Sequence, residues 1–297
     1  AEGRLTTAGG DYSHAEGYYT TASGTISHSE GQNTTASGDS SHAEGYYTTA
    51  SGISSHAQNR FTIAQGHSQT AIGRYNKAQG NPTSIVSTDD AFIIGNGTSS
   101  ARSNAFRVTF DGKTYGLSAF NSSGADYAEY FEWTDGNPNN EDRVGYFVTL
   151  DGEKIRIARP SDDYIVGVVS ANASVIGDSA SENWYKKYVT DIYGRVQYHW
   201  VDVPAVFIDG EEIEPARQDY LPVINPDWDS TVDYVPREKR KEWSAVGIIG
   251  KLIVRDDGTC QVNGYCSVAD GGIATASDIG YRVLSRLDDN HIKILIK

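Results

Sequence analysis

Ser13-His14-Ala15-Glu16-Gly17 returns as Ser27-His28-Ser29-Glu30-Gly31 and as Ser41-His42-Ala43-Glu44-Gly45, then fades into Ser55-His56-Ala57-Gln58-Asn59. Between the copies run Thr20-Thr21-Ala22-Ser23-Gly24, Thr34-Thr35-Ala36-Ser37-Gly38 and Thr48-Thr49-Ala50-Ser51-Gly52, so the period is 14 residues. A fixed period signals stacked units, none of which buries a core alone. Fourteen residues are too few for a helical hairpin and suit one turn of a β-coil with two short strands. Thr, Tyr and Ile favour strands, and the glycine of each half-repeat suits a corner. Alternate side chains of a strand share a face. His and Glu therefore face one way, and Ser, Ala and Gly the other. A coil lined by such small residues has little apolar area to bury, and at ~25 cal/mol per Å² each turn is marginal by itself. The repeat predicts a rod stabilised by association with copies of itself.

The wording of the repeat resembles the head repeats of trimeric bacterial adhesins, over roughly residues 1–80. That resemblance implies a left-handed parallel β-roll, three chains wide. The last copies, Phe61-Thr62-Ile63-Ala64-Gln65-Gly66 and Ala71-Ile72-Gly73, are more apolar and predict a terminal turn with a larger core. His14, His28, His42 and His56 would stack in a ladder beside the Glu row. The ladder reads as a solvated or hydrogen-bonded surface feature, with a metal or anion on a trimer axis as the alternative: no carboxylate or cysteine falls at a spacing dedicated to a metal, and no metal or cofactor is expected. The tyrosine pairs 18–19 and 46–47 read as packing residues, although such rings can stack on sugars.

The chain has 297 residues, a net charge of −14 and no Met, and it begins within a repeat. It reads as a two-domain fragment of a longer protein. The acidity lies in the second half: residues 126–297 hold thirty acids against eighteen bases. Such a chain is a poor partner for a phosphate backbone, so no nucleic acid is expected. The basic cluster Arg237-Glu238-Lys239-Arg240-Lys241 is diluted by its acids and reads as a solvated face. No apolar run approaches the ~20 residues that span a bilayer, so no membrane is expected. The longest, Ala245 to Val254, is interrupted by Gly250 and Lys251 and reads as a core strand. Cys260 and Cys266 have no nearby His and do not make a zinc site; a disulfide between them is one open reading.

Past the repeats, Ala91 to Gly97 and Ala105 to Phe110 read as strands, with Lys113 to Gly116 folding back after Asp111-Gly112. Asn121-Ser122-Ser123-Gly124 is a flexible break. Further strands are predicted at 144–150, 155–158, 164–169, 197–201, 243–254, 281–284 and 292–296. Five of the eight prolines lie at 204, 215, 222, 226 and 236, which predicts a long irregular surface excursion. Only Ser181 to Tyr188 suggests a helix. The expected fold class is all-β: a repeat shaft over 1–82, a β connector over 83–125 and a β-rich C-terminal domain over 126–297.

Just after the flexible break stands Gly124-Ala125-Asp126-Tyr127-Ala128-Glu129-Tyr130-Phe131-Glu132-Trp133, followed by Asp135-Gly136-Asn137 and Glu141-Asp142-Arg143-Val144-Gly145. With Tyr164 to Ser170 and Gly280 to Leu284, this resembles the self-cleaving C-terminal domain of phage neck-appendage and tail-fibre proteins. That is an autoproteolytic, chaperone-type domain of the peptidase G2 kind, and the resemblance covers about residues 105–297. It implies a homotrimer whose C-terminal domain drives assembly and is then released by its own acidic residues. It also implies a virion location, with synthesis in the host cytoplasm and an extracellular fate after release. The family's Asp, followed three residues later by a Glu, falls on Asp126 and Glu129, and the scissile bond on Ala125–Asp126. Ala125 itself offers no nucleophile.

The residues support such chemistry in two ways. The Asp126 carboxylate can attack the Ala125 carbonyl through a six-membered ring. Alternatively, Glu129 serves as general base on water while Asp126 protonates the leaving nitrogen. Either route needs a carboxyl with a raised pKa, and a held bond gains several kcal/mol from proximity. Tyr127, Glu129, Phe131 and Trp133 alternate as on a strand, so Glu129 should point away from Asp126. It then acts either through an intervening turn or across a trimer on a neighbour's bond. His199 and His291 are isolated, with no Gly-x-Ser-x-Gly and no phosphate loop. Two other readings compete: a non-proteolytic fibre end that binds a host receptor or glycan, and a bacterial adhesin head. The adhesin ranks last because the C-terminus shows neither heptads nor a barrel strand.

Overall fold

The computed structural model describes residues 1–179, 186–208 and 210–297. Among these, the regular structure is strand, apart from two single 3₁₀ turns at Arg237–Lys239 and Asp270–Gly272. The helix suggested at Ser181 to Tyr188 lies largely outside the described residues; Lys186 to Tyr188 at its end are turn and bridge. The chain divides into two compact units, residues 1–120 with 188–226, and residues 121–187 with 227–297.

In the first unit, each 14-residue repeat makes one turn of a β-solenoid. His14–Tyr18, His28–Gln32 and His42–Tyr46 pair in parallel and in register, His on His and Glu on Glu. The shorter strands Thr7–Ala8, Thr21–Ala22, Thr35–Ala36, Thr49–Ala50 and Ile63–Ala64 form a second parallel sheet. Alternation sends the alanines inward: Ala36, Ala43, Ala50, Ala57, Ala64 and Ala71 are fully buried in one cluster. Ser29 replaces one of these alanines, and its hydroxyl meets that of Thr34 at 2.8 Å.

The glycines do not make the corners expected of them. Non-glycine residues spaced seven apart, from Leu5 to Tyr75, take φ between +44° and +59°. From Tyr19 onward their N–H groups bind the preceding turn, as in Tyr47 N–H to the Gln32 carbonyl at 2.9 Å and Ile26 N–H to the Asp11 carbonyl at 2.7 Å. Glycine is needed instead where turns touch: a Cβ on Gly24 would lie 2.1 Å from the Gly38 carbonyl oxygen.

The enlarged terminal core is also corrected. Phe61, Ile63 and Ile72 stay half-buried, with Phe61 stacked between Tyr47 and Tyr75. Ile93, from Asp90–Asn96, closes the alanine column instead. Beside it the buried Gln69 accepts from Gln65 N–H and Gly66 N–H and donates to the Gln79 and Asp90 carbonyls. An amide with four partners ends the coil without an orphaned polar group.

Asn104–Thr109 then pairs antiparallel with Asp90–Asn96, and Thr114–Gly116 folds back on it as expected. The proline-rich stretch is more ordered than its composition suggests. Tyr198–Val203 pairs with Arg217–Pro222, and Val206–Ile208 with Glu211–Glu214. Ser87 N–H donates to the Tyr220 carbonyl, and Tyr220 N–H to the Ile85 carbonyl. The prolines sit at strand ends and loops, where no ladder donor is lost.

The second unit is built on the thirteen-residue strand Trp243–Arg255. It pairs antiparallel with Asp126–Glu132, Gly167–Val169 and His291–Ile296. One core gathers Phe147, Leu252, Val254, Val283, Ile292 and Ile294, and a second gathers Trp133, Val148, Ile155 and Val246. The long strand feeds both. Cys260 and Cys266 are free, buried thiols, and burial pushes both up to about 12.

Candidate functional site

The strand Asp126–Glu132 begins directly after the exposed residues 121–123. Its backbone is held on two sides. Lys251 N–H donates to the Ala125 carbonyl at 3.1 Å, and Ser174 N–H to the Asp126 carbonyl at 2.7 Å. Gly250, at φ +118°, makes this approach possible: a Cβ there would lie 2.4 Å from the Ala125 oxygen. The Gly250-Lys251 interruption in an apolar run is thus the seat of the Ala125–Asp126 peptide.

Ala125 is exposed, whereas Asp126 is only 6% exposed. Asp126 Oδ2 is buried without a hydrogen-bond partner, against Gly247, where a Cβ would come within 2.7 Å of it. Burial pushes the Asp126 carboxyl above the usual range, with the Ser170 side chain acting in the opposite direction. Nothing near residue 126 in the sequence signals Ser170 or Gly247; the fold brings them in.

Glu129 occupies the other face. Its Oε1 accepts a 2.6 Å hydrogen bond from the Tyr127 hydroxyl, and its Cγ packs over Gly177. The Asp126 and Glu129 carboxyls therefore point to opposite faces of one strand, as the alternation predicts, with no turn between them. Glu129 lines a cleft of about 850 Å³ that also includes Asp178, Arg237 and Trp243. Arg237 pairs with Asp178 and lies 4.0 Å from the centre of the Trp243 ring.

The neighbouring acidic motif has a local task. Asn137 and Glu141 exchange hydrogen bonds of 3.1 and 2.9 Å. Arg143 grips Asp135 with two bonds of 2.9 and 2.7 Å and holds its carboxyl at about 2. The same guanidinium lies 4.4 Å from the centre of the Trp133 ring. These bonds clamp a loop, and Asp135 is shifted down where the buried Asp126 is shifted up.

A sequence profile for the peptidase G2 family, an IMC autoproteolytic cleavage domain, matches residues 69–291. The chain belongs to this family. The match begins earlier than the resemblance read from the sequence, within the last coil turns. The pre-neck appendage protein of Bacillus phage B103 is 36% identical over 156 residues, 52% of this chain and 16% of that protein. The pre-neck appendage protein of Bacillus phage phi29 is 34% identical over 154 residues, again 16% of its length. The chain thus spans about a sixth of the length of these relatives. Its whole length superposes on 39% of the crystal structure of the pre-mature bacteriophage phi29 gene product 12, with a TM-score of 0.64 and 23% identity. That likeness concerns the fold: a β-solenoid followed by a β-rich unit.

Proposed function

We propose that this chain is part of a trimeric phage appendage or fibre whose C-terminal domain cuts itself free at Ala125–Asp126. Residues 1–82 would be the shaft, 83–125 the connector and 126–297 the released assembly domain, acting once and on no external substrate. One observation carries the reading: in a family of autoproteolytic domains, a buried carboxyl with one oxygen lacking a hydrogen-bond partner sits at the junction between an exposed segment and a fixed strand.

The chemistry follows from the two faces. Asp126, whose carboxyl burial shifts upward, donates a proton to its own amide nitrogen as the Ala125–Asp126 bond breaks. Glu129 of a neighbouring copy takes a proton from the water that attacks the Ala125 carbonyl. A base supplied by a neighbour delays the cut until the assembly is complete. The cleft beside Glu129 is the entry for the neighbour's segment. The shaft would remain with the virion and meet a host receptor or glycan.

The test is the intact mass of the purified protein beside its Asp126→Ala and Glu129→Ala variants. New fragments beginning at Asp126 in the parent, absent from both variants, support the reading. A single full-length mass that persists for days in a confirmed trimer would overturn it and leave a structural fibre end.

A further inference from the structure

We propose that the histidine–glutamate face of the solenoid is a divalent-cation site, with Glu16–His28–Glu30 and Glu30–His42–Glu44 as zinc-type rungs that share Glu30. In each rung one imidazole nitrogen and two carboxylate oxygens lie within 4.8 Å of one another. The sequence places these residues two apart within a turn and fourteen apart between turns. Parallel in-register stacking converts both spacings into neighbourhood, which is why no ligand pattern is visible along the chain.

The His ladder expected from the repeat is present, with ring centroids 4.7–4.9 Å apart. Among the described residues, no hydrogen bond joins these imidazoles to the Glu row. The Nε2 atoms of His28, His42 and His56 are buried and have no hydrogen-bond partner. Their nearest carboxylate oxygens stand at 3.8, 3.4 and 3.4 Å, beyond the 2.7–3.2 Å of an ordinary N–H···O bond. A tetrahedral ion with ligand bonds of about 2.0–2.2 Å separates its N and O ligands by roughly 3.4 Å. The gap is therefore too wide for a hydrogen bond, and at His28 and His42, where a second carboxylate is within reach, it suits a metal between the groups.

Charge points the same way. Glu16, Glu30 and Glu44 stack directly on one another, an arrangement that like charges disfavour. Among the described residues, their ion pairs are to these imidazoles alone. A dication held by two carboxylates offsets that repulsion. An imidazole with two carboxylates and a position left for water suits zinc, copper or nickel, whereas calcium requires six or more oxygens. The fourth histidine supplies a control within the chain. Next to His56 the repeat carries Gln58 instead of Glu, and among the described residues no third ligand completes that rung.

The experiment measures zinc bound per chain and the thermal midpoint of the shaft. The full-length protein is stripped with chelator and dialysed against zinc chloride. The parent should retain at least one zinc per chain and unfold at a higher temperature with it. Glu30→Gln removes the shared ligand, lowers the zinc count by at least one and reduces the thermal shift. Gln58 already shows that glutamine fits this position of the coil, and the metal-free midpoint of the variant checks its folding. Gln58→Glu should add a rung and raise the count. The Asp256–Asp257–Cys260 cluster is common to all these proteins and cancels in the comparison. No zinc above background on the parent at 100 µM, or an equal count and shift in Glu30→Gln, overturns the proposal.

Discussion

The Tyr127 hydroxyl donates a 2.6 Å hydrogen bond to Glu129 and holds it on the face opposite Asp126. On the proposed mechanism, one chain cannot supply both groups to its own bond. Co-expressed Asp126→Ala and Glu129→Ala chains should therefore give mixed trimers in which the Glu129→Ala chains are cut. Cis-only catalysis would leave every chain whole. Tyr127→Phe should still cleave, but slower by roughly 10- to 100-fold, since a hydrogen bond to a charged group contributes about 1.5–3 kcal/mol. The rate at which the fragment appears, followed by mass, measures it.

Gly250 should tolerate no side chain. An added Cβ would meet the Ala125 oxygen at 2.4 Å and the Asp126 Cα at 2.8 Å, at a φ of +118°. Backbone strain of that kind costs about 1–3 kcal/mol before any clash. Gly250→Ala should lower the thermal midpoint of the second unit and abolish cleavage. Retained cleavage at the parental rate would show that the peptide does not need this seat.

Asp126 makes both stability and rate depend on pH, and the signs differ from those of an ordinary ion-paired carboxylate. Burial raises its folded pKa above the ordinary carboxylate value. The folded state then holds a proton that the unfolded state has lost. The associated stability is present in full below about pH 4 and is lost as pH rises through the folded pKa. Asp126→Asn should therefore unfold at a higher temperature than the parent near pH 7, with the advantage shrinking toward pH 4. If the protonated acid is the proton donor, the single-turnover rate falls as pH rises past that same pKa. A rate that climbs through it would instead assign Asp126 as the carboxylate nucleophile.

Much of this architecture was legible because the repeat states its own geometry. Period, alternation and the small-residue face together predict two strands per turn and an alanine interior. The corners were not legible, because Ile26 and Phe61 carry no signal for the left-handed region they occupy. They are held there by the turn below, a contact visible only once turns are stacked. At the candidate site, Asp126, Glu129 and their opposite faces follow from local spacing. Ser170, Gly247 and Gly250 do not, since their roles arise from pairing with strands far along the chain. The proline-rich stretch misled for the converse reason: proline marks ladder ends as readily as irregular loops.

The shaft interior should discriminate sharply between enlargement and polarity. Ala50 is fully buried in a column of alanines, so Ala50→Leu has no cavity to fill and must separate neighbouring turns. Overpacking of this kind costs about 1–3 kcal/mol, and here the strain falls on every turn in contact. Ser29→Ala should be nearly neutral, although it breaks a buried 2.8 Å contact with Thr34. Thr34 can turn its hydroxyl to the Glu30 carbonyl, as Thr48 does to Glu44 at 3.0 Å and Thr62 to Gln58 at 2.9 Å. The change should then stay within about 0.5 kcal/mol, the range of an exchange of comparable hydrogen bonds, whereas a Thr34 hydroxyl left without a partner, as that of Thr20 is opposite Ala15, would cost about 1–3 kcal/mol. Urea unfolding of both variants, followed through the shaft tyrosines, checks the pair. A costly Ser29→Ala beside a harmless Ala50→Leu would mean that the interior is governed by hydroxyl contacts and not by the spacing of the turns.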